Sequence, residues 1–195
     1  MNSYIIPYRK TSDDRERNLS VTLDWIRYNI TDTEIVIVEM DSISKIDENL
    51  KKDPMIKYLF IKDEQVFNRG RARNMGSLLA TGDIFIFGDN DIIMNPSEFN
   101  HCLGQCRTGF QAVNPFCVMV DLSEENVKDF VINKDNPFDF RKLKEKNIES
   151  ATENHRRDLN FAAGISMIRR DCFFDIGGWP EEFIGWGGED DIFSY

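Results

Sequence analysis

Short apolar runs rich in Ile, Val and Phe recur along the first part of the chain, at Tyr4 to Pro7, Glu34 to Glu39, Ile56 to Ile61 and Ile84 to Phe87. Each is near-continuous in its apolar residues, as expected of a strand buried in a sheet. Between the first two runs, Leu19, Leu23, Ile26 and Ile30 recur at helical spacing behind Ser12-Asp13-Asp14, an N-cap region. Gly70 to Thr81 reads as a further helix, closed by Gly82. Up to Phe87 the chain therefore alternates βαβαβαβ, the pattern of a mostly parallel sheet covered on both faces.

Beyond Asn95-Pro96 the pattern loosens. It predicts a helix over Pro96 to Arg107, a strand over Gln111 to Val120, and a charged stretch from Glu124 to Arg157 that reads as a helix followed by a long connection. A strand is expected again at Phe161 to Ile168, then a short helix from Arg170 to Ile176 ended by Gly177-Gly178.

Composition narrows the partners. The chain has 195 residues, the size of one domain, and its 41% hydrophobic content predicts a packed core. With 34 acidic against 24 basic residues and a net charge of −10, it lacks the basic face that a nucleic-acid backbone requires. An anionic substrate needs a cation to mediate. Cys102 and Cys106 form a C-x3-C pair, but neither Cys117 nor Cys172 completes a second pair at zinc-finger spacing, so buried or free thiols are expected. No signal-peptide pattern opens the sequence and no apolar run reaches the ~20 residues of a membrane span. The expectation is a soluble, cytoplasmic protein without a transmembrane segment.

Two clusters carry chemistry. The run Asp83-Ile-Phe-Ile-Phe-Gly88 leads into Asp89-Asn90-Asp91, so the acids fall at the carboxyl end of a buried strand, where ligands of open α/β sheets collect. Carboxylates spaced i, i+2 at a strand end suit a hard cation, Mn²⁺ or Mg²⁺, that bridges to a diphosphate. The second cluster is Gly185-Trp-Gly-Gly-Glu-Asp-Asp191. An indole beside glycines and clustered carboxylates is the composition of a sugar site: a pyranose face packs on the ring, and a carboxylate bonds hydroxyls or takes a proton from one. Taken singly, each cluster also reads as an ordinary feature, a solvated turn in an Asp-rich chain or a glycine-rich turn before an acidic helix start.

Three blocks together resemble the β-1,4-galactosyltransferases and their bacterial and viral relatives: Ile6-Pro-Tyr-Arg9; Val66-Phe-Asn-Arg-Gly-Arg-Ala-Arg-Asn-Met-Gly76 with Phe87-Gly-Asp-Asn-Asp91; and Phe161-Ala-Ala-Gly-Ile-Ser166 with Gly185-Trp-Gly-Gly-Glu-Asp-Asp-Ile-Phe193. The resemblance implies the GT-A fold, a Rossmann-like α/β arrangement in which a mixed, mostly parallel sheet is flanked by helices. It implies a single domain, residues 1–95 binding the nucleotide-sugar and 96–195 carrying acceptor and catalysis. Pro7, Tyr8, Arg9, Glu39, Phe67 and Arg69 are expected at the nucleotide. Asp91 is expected as metal ligand, with Asp89 orienting donor and metal. Trp186, Gly187, Gly188 and Phe161 are expected at the sugar and acceptor, Glu189 as the residue that orients the acceptor, and Asp190 as catalytic base.

The implied activity is metal-dependent, inverting transfer of a hexose or N-acetylhexosamine from a UDP-sugar to a hydroxyl of a glycan or glycolipid acceptor, a role compatible with a peripheral place at a membrane. The family's further metal ligands, notably a His, lie beyond the W-G-G-E-D-D block, and the sequence ends at Tyr195. Either the natural chain continues, or water, donor phosphates or His155 complete the metal. Phe161 stands where vertebrate galactosyltransferases carry a Tyr that influences the donor sugar, so the sugar stays open. Two rivals remain: a nucleotide-sugar-binding module or lobe of a larger enzyme, and a haloacid-dehalogenase-type phosphatase, against which Ile92-Ile93 after the D-x-D argue.

Overall fold

The computed structural model describes residues 1–116, 164–185 and 188–193. Apart from Phe116 they belong to a compact unit built from Met1–Pro115 and Asn160–Tyr195. The four apolar runs are strands β1 (Asn2–Tyr8), β2 (Thr33–Asp41), β3 (Ile56–Lys62) and β4 (Ile84–Gly88). They extend past their apolar stretches because polar ends are paired across the sheet. Ser3 Oγ, for instance, donates to Glu34 Oε1 at 2.6 Å.

Two further strands, β5 (Ala112–Val113) and β6 (Ile165–Arg169), complete a six-stranded sheet of order β3-β2-β1-β4-β6-β5. Strands β1 to β4 run parallel, and β6 is antiparallel to both β4 and β5. The strand expected over Gln111 to Val120 is cut to Ala112–Val113, with residues 114–116 irregular and 117–120 outside the described residues. Pro115 explains the stop, since proline has no amide to give a ladder. The strand expected from Phe161 begins at Ile165, residues 161–163 lying outside the described residues, and runs on to Arg169, whose amide donates to Gln111 O (2.8 Å). The stretch read as a helix and a long connection, 124–157, also lies outside the described residues.

Helix α1 (Asp13–Asn29) starts at Ser12, whose side chain accepts from the Arg15 amide, and a single turn, α2 (Glu48–Lys51), separates β2 from β3. Helix α3 (Arg69–Leu79) is capped by Asn68, and α4 (Pro96–Thr108) by Asn95 with proline in its first turn. The expected closure of α3 at Gly82 is not what ends it. Ala80 already has extended backbone, and Gly82 instead donates its amide to Ser3 Oγ at 2.8 Å. Short helices α5 (Arg170–Asp175) and α6 (Glu189–Phe193) follow β6.

One sheet face buries Ile5, Val36, Val38, Phe85 and Phe87 with Ala72 of α3, Phe173 of α5 and Trp179. Residues alternate in facing, so Tyr4, Ile6, Ile35, Ile37 and Ile86 belong to the other face, and these too are 0% exposed. Each large apolar side chain buried this way contributes roughly 1.5–3 kcal/mol. The chain winds outward from β1 through β2 to β3, then returns to the other side of β1 with β4. The carboxyl ends of β1 and β4 therefore flank a topological switch point, the crevice where open α/β sheets bind ligands.

Candidate functional site

Strand β4 delivers Asp89-Asn90-Asp91 to that crevice. The Asp89 amide donates to Gly164 O (2.9 Å), tying the turn to the strand beside it. Asn90 is buried against α1: its Oδ1 accepts from Arg15 Nη1 and its Nδ2 donates to Arg15 O, both at 3.0 Å, while its carbonyl accepts from Thr22 Oγ1 at 3.0 Å. The central residue is thus anchored, and the carboxylates on either side are left at the mouth. Asp91 reaches solvent but stands among crowding atoms, which, with the Asp89 charge, push its carboxyl above the usual range against the pull of Arg15 and Arg69. A divalent cation between two mutually repelling carboxylates would relieve that repulsion, so this donor set fits a hard metal ion. Among the described residues no three His, Cys, Asp or Glu side chains form a cluster able to hold a metal alone.

The second cluster arrives from the other end of the chain. Arg69 and Arg73 lie one helical turn apart on α3 and face the start of α6, where Arg69 Nη1 stands 3.3 Å from Glu189 Oε1 and Arg73 Nη1 stands 3.1 Å from Asp190 Oδ1. The second terminal nitrogen of Arg73 reaches Asp89 Oδ1 at 3.2 Å. Glu189 is buried, whereas the Asp190 side chain keeps 24% of its surface exposed. Burial, seconded by the charges of Glu189 and Asp89, raises the Asp190 carboxyl above its ordinary value, against the opposing pull of Arg73. A partly exposed carboxylate of raised basicity is suited to accept a proton.

Helix α3 also holds the segment that leads to α6. Asn74 accepts from the Trp179 amide (2.8 Å) and donates to Trp179 O (2.9 Å) and Glu181 Oε1 (2.8 Å), while Asn68 donates to Glu181 O (2.7 Å). Gly70 lets the chain come this close, since a Cβ there would stand 2.4 Å from Pro180 O. Gly188, at φ 94°, makes the turn into α6, and a side chain there would strike Phe183 at 2.6 Å.

At the end of β1, Pro7 and Tyr8 are buried, and burial, followed by the charges of Glu16 and Glu39, pushes the Tyr8 hydroxyl up to about 12. The Arg9 guanidinium donates to the carbonyls of Met40, Gln65 and Asp63 and lies 5.3 Å from the centre of the Phe67 ring. It therefore binds the β3–α3 loop to the sheet and backs Phe67. Glu39, fully buried, accepts from Ser44 Oγ, Tyr58 Oη and the Lys45 amide, which folds the chain after β2 back onto the end of that strand.

A family model described as "Glycosyltransferase like family 2" matches residues 3–194. The chain belongs to this family. It is 25% identical over 162 residues to chondroitin sulfate N-acetylgalactosaminyltransferase 2 of Mus musculus, a match covering 80% of this chain and 28% of that protein. It is 27% identical over 129 residues to β-1,4-galactosyltransferase 4 of Homo sapiens, covering 64% and 27%. The chain thus spans little more than a quarter of the length of these relatives. Among solved structures, S. aureus TarS 1-349 superimposes with a TM-score of 0.62 at 14% identity, over 99% of this chain and 53% of that one. The fold of this family 2 chain is GT-A, as the resemblance implied.

The structure brings Asp89, Asp190, Glu189 and Arg69 to one crevice and places Asp91 at its mouth. Pro7, Tyr8, Arg9, Glu39 and Phe67 sit on the β1–β2–β3 side, and Gly188 shapes the entry to α6. Trp186, Gly187, Phe161 and His155 lie outside the described residues. Sequence reasoning assigned nothing to Arg73, Arg15 or Trp179. For Arg73 one signal was present, its i, i+4 spacing from Arg69, which puts both cations on one helix face. For Arg15 and Trp179 no local signal exists, because their partners lie far away in the chain.

Proposed function

We propose that this family 2 chain carries out inverting, metal-dependent transfer of a hexose or N-acetylhexosamine from a UDP-sugar to a hydroxyl of a glycan or glycolipid acceptor. The observation that carries the reading is the meeting of the D-x-D turn and the E-D-D helix start on one guanidinium, that of Arg73, in the switch-point crevice. The names of the relatives, an N-acetylgalactosaminyltransferase and a galactosyltransferase, support the sugar class.

In this reading Pro7, Tyr8, Arg9, Glu39 and Phe67 form the nucleotide wall in residues 1–95, with Phe67 offering the base an apolar face backed by Arg9. Asp91, with Asp89, would hold Mn²⁺ or Mg²⁺, which when bound neutralises the departing diphosphate. Arg69 adds positive charge on the same side. From residues 96–195, Trp186, Gly187, Gly188 and Phe161 would receive sugar and acceptor, Glu189 would orient the acceptor, and Asp190 would take the proton of the attacking hydroxyl as the new bond to the anomeric carbon forms. One base on the acceptor side is enough for a single displacement, so inversion follows without a covalent sugar–enzyme intermediate. Among the described residues no helix is long and apolar enough to cross a membrane.

The test is a screen of nucleotide sugars with Mn²⁺, with and without glycan acceptors, read as release of nucleoside diphosphate. UDP release from a UDP-hexose or UDP-N-acetylhexosamine, stimulated by an acceptor, is expected. Phosphate release from a simple phosphomonoester in place of any sugar transfer would move the assignment to a phosphatase.

A further inference from the structure

We propose that Arg73 is a positioning residue that locks the proton-accepting carboxylate Asp190 to the donor-side carboxylate Asp89, fixing the distance between the two halves of the reaction. The proposal deepens the transferase reading and rests on it for the roles of those two acids.

Arg73 is 1% exposed, an unusual place for a guanidinium, and it lies in the interior only because its surroundings compensate. Nη1 reaches Asp190 Oδ1 at 3.1 Å and Nη2 reaches Asp89 Oδ1 at 3.2 Å, so one planar fork spans carboxylates from α6 and from the end of β4. An indole packs against it. Cζ lies 4.1 Å from the centre of the Trp179 ring, and Trp179 is stacked in turn on Phe193 with ring centres 3.9 Å apart and planes 8° from parallel.

Phe193 belongs to the same short helix as Asp190. The guanidinium, the indole and the phenyl ring therefore form one stack that ties α6 to α3, while the fork ties both to β4. The Nε of Arg73 is buried without a hydrogen-bond partner among the described residues, so the side chain gives up a donor to hold this geometry. A lysine cannot do the same, because an ammonium is a point charge without the rigid fork that engages acids in two directions. Without the brace, α6 is a five-residue helix behind a glycine turn, and Asp190 loses its fixed place relative to the anomeric carbon.

The experiment compares wild type with Arg73→Met and Arg73→Lys by two independent readouts. The first, amide hydrogen exchange of residues 188–193, needs no activity. Exchange is expected to accelerate at least tenfold in Arg73→Met with the β1–β4 amides unchanged, and Arg73→Lys, which keeps charge and bulk if the methionine variant fails to fold, is expected to recover only part of the protection. The second readout is transfer kinetics with UDP-sugar, Mn²⁺ and acceptor. There kcat is expected to fall by ~10²-fold with the affinity for UDP and Mn²⁺ within about threefold of wild type, and Arg73→Met is expected to cost little more once Asp190→Asn is present.

Unchanged exchange at 188–193 in both variants overturns the brace, whatever the activity of the chain. A loss of UDP affinity that accounts for all of the loss in kcat/KM, with kcat intact, overturns it in favour of a direct donor contact. A wild type that transfers no sugar defeats the transferase reading, and the exchange data still decide whether the brace exists.

Discussion

Asn74 makes the most quantitative claim about how the C-terminal segment is held. Its Oδ1 accepts from the Trp179 amide at 2.8 Å, and its Nδ2 donates to Trp179 O at 2.9 Å and to Glu181 Oε1 at 2.8 Å. Asn74→Ala removes all three bonds and leaves both backbone groups of Trp179 without their partner. A stranded, partly buried polar group costs about 1–3 kcal/mol, and the exposed bond to Glu181 adds little. Because the Trp179 backbone is only part-buried, water can repay some of the loss, so the expected destabilisation is about 2–4 kcal/mol. For a chain of this size that lowers Tm by roughly 5–15 °C. Urea unfolding, with the midpoint shifted and the slope unchanged, is the assay. Asn74→Asp keeps the acceptor for the Trp179 amide but loses both donors, so it recovers at most part of the loss. A cost below about 0.5 kcal/mol for Asn74→Ala would refute the reasoning, since that is the range of substitutions that touch nothing important.

Asp91→Ala is expected to abolish the metal dependence of UDP binding: calorimetry on wild type should show affinity falling at least tenfold when EDTA replaces Mn²⁺, and equal wild-type affinity in the two conditions, or the same metal dependence in Asp91→Ala as in wild type, would remove Asp91 from the metal. Glu34 controls part of the acid stability. Burial pulls its carboxyl up, but hydrogen bonds from Lys57, Ser3 and Thr81 outweigh it and hold the group at about 2 against an ordinary 4.5. A depressed folded-state value adds stability that is fully present above about pH 4.5 and is lost as pH falls toward about 2, so Glu34→Gln is expected to flatten unfolding stability against pH in that window. Gly188→Ala forces a side chain onto a φ of 94° and against Phe183 at 2.6 Å. The left-handed backbone alone costs ~1–2 kcal/mol, so thermal unfolding should begin earlier and any transfer activity should fall with it; an unchanged Tm would show that the turn is not needed.

The four parallel strands were legible as apolar runs: β1, β2 and β4 are buried on both faces, so that Ile35 to Val38 or Ile84 to Phe87 need no tertiary context to be seen, and the edge strand β3, only partly buried, carries the same kind of run. Helix α2 was implied by the alternation but could not be located, because one turn without a buried residue has no periodicity to detect. The β5 and β6 boundaries were missed for a related reason: where a strand pairs depends on its neighbour, and Arg169 joins β6 through Ile84 and Gln111, not through its own character. At the site, Asp89, Asp91, Glu189 and Asp190 stood out because their motifs are contiguous. Arg73, Arg15 and Trp179 did not, because each acquires its meaning from a partner that only folding supplies. In a string of five residues from Arg69 to Arg73 containing three arginines, the i, i+4 spacing sets Arg69 and Arg73 on one helix face apart from Arg71, but nothing local says that this face is the buried one.

The claim that the E-D-D helix start supplies the base is tested most directly by Asp190→Asn, which keeps the shape of the side chain and removes its basicity. Transfer from the UDP-sugar identified by the screen should fall by ~10²-fold or more while UDP and Mn²⁺ bind as in wild type. Transfer at the normal rate in Asp190→Asn, above all if Glu189→Gln abolishes it, would contradict the account.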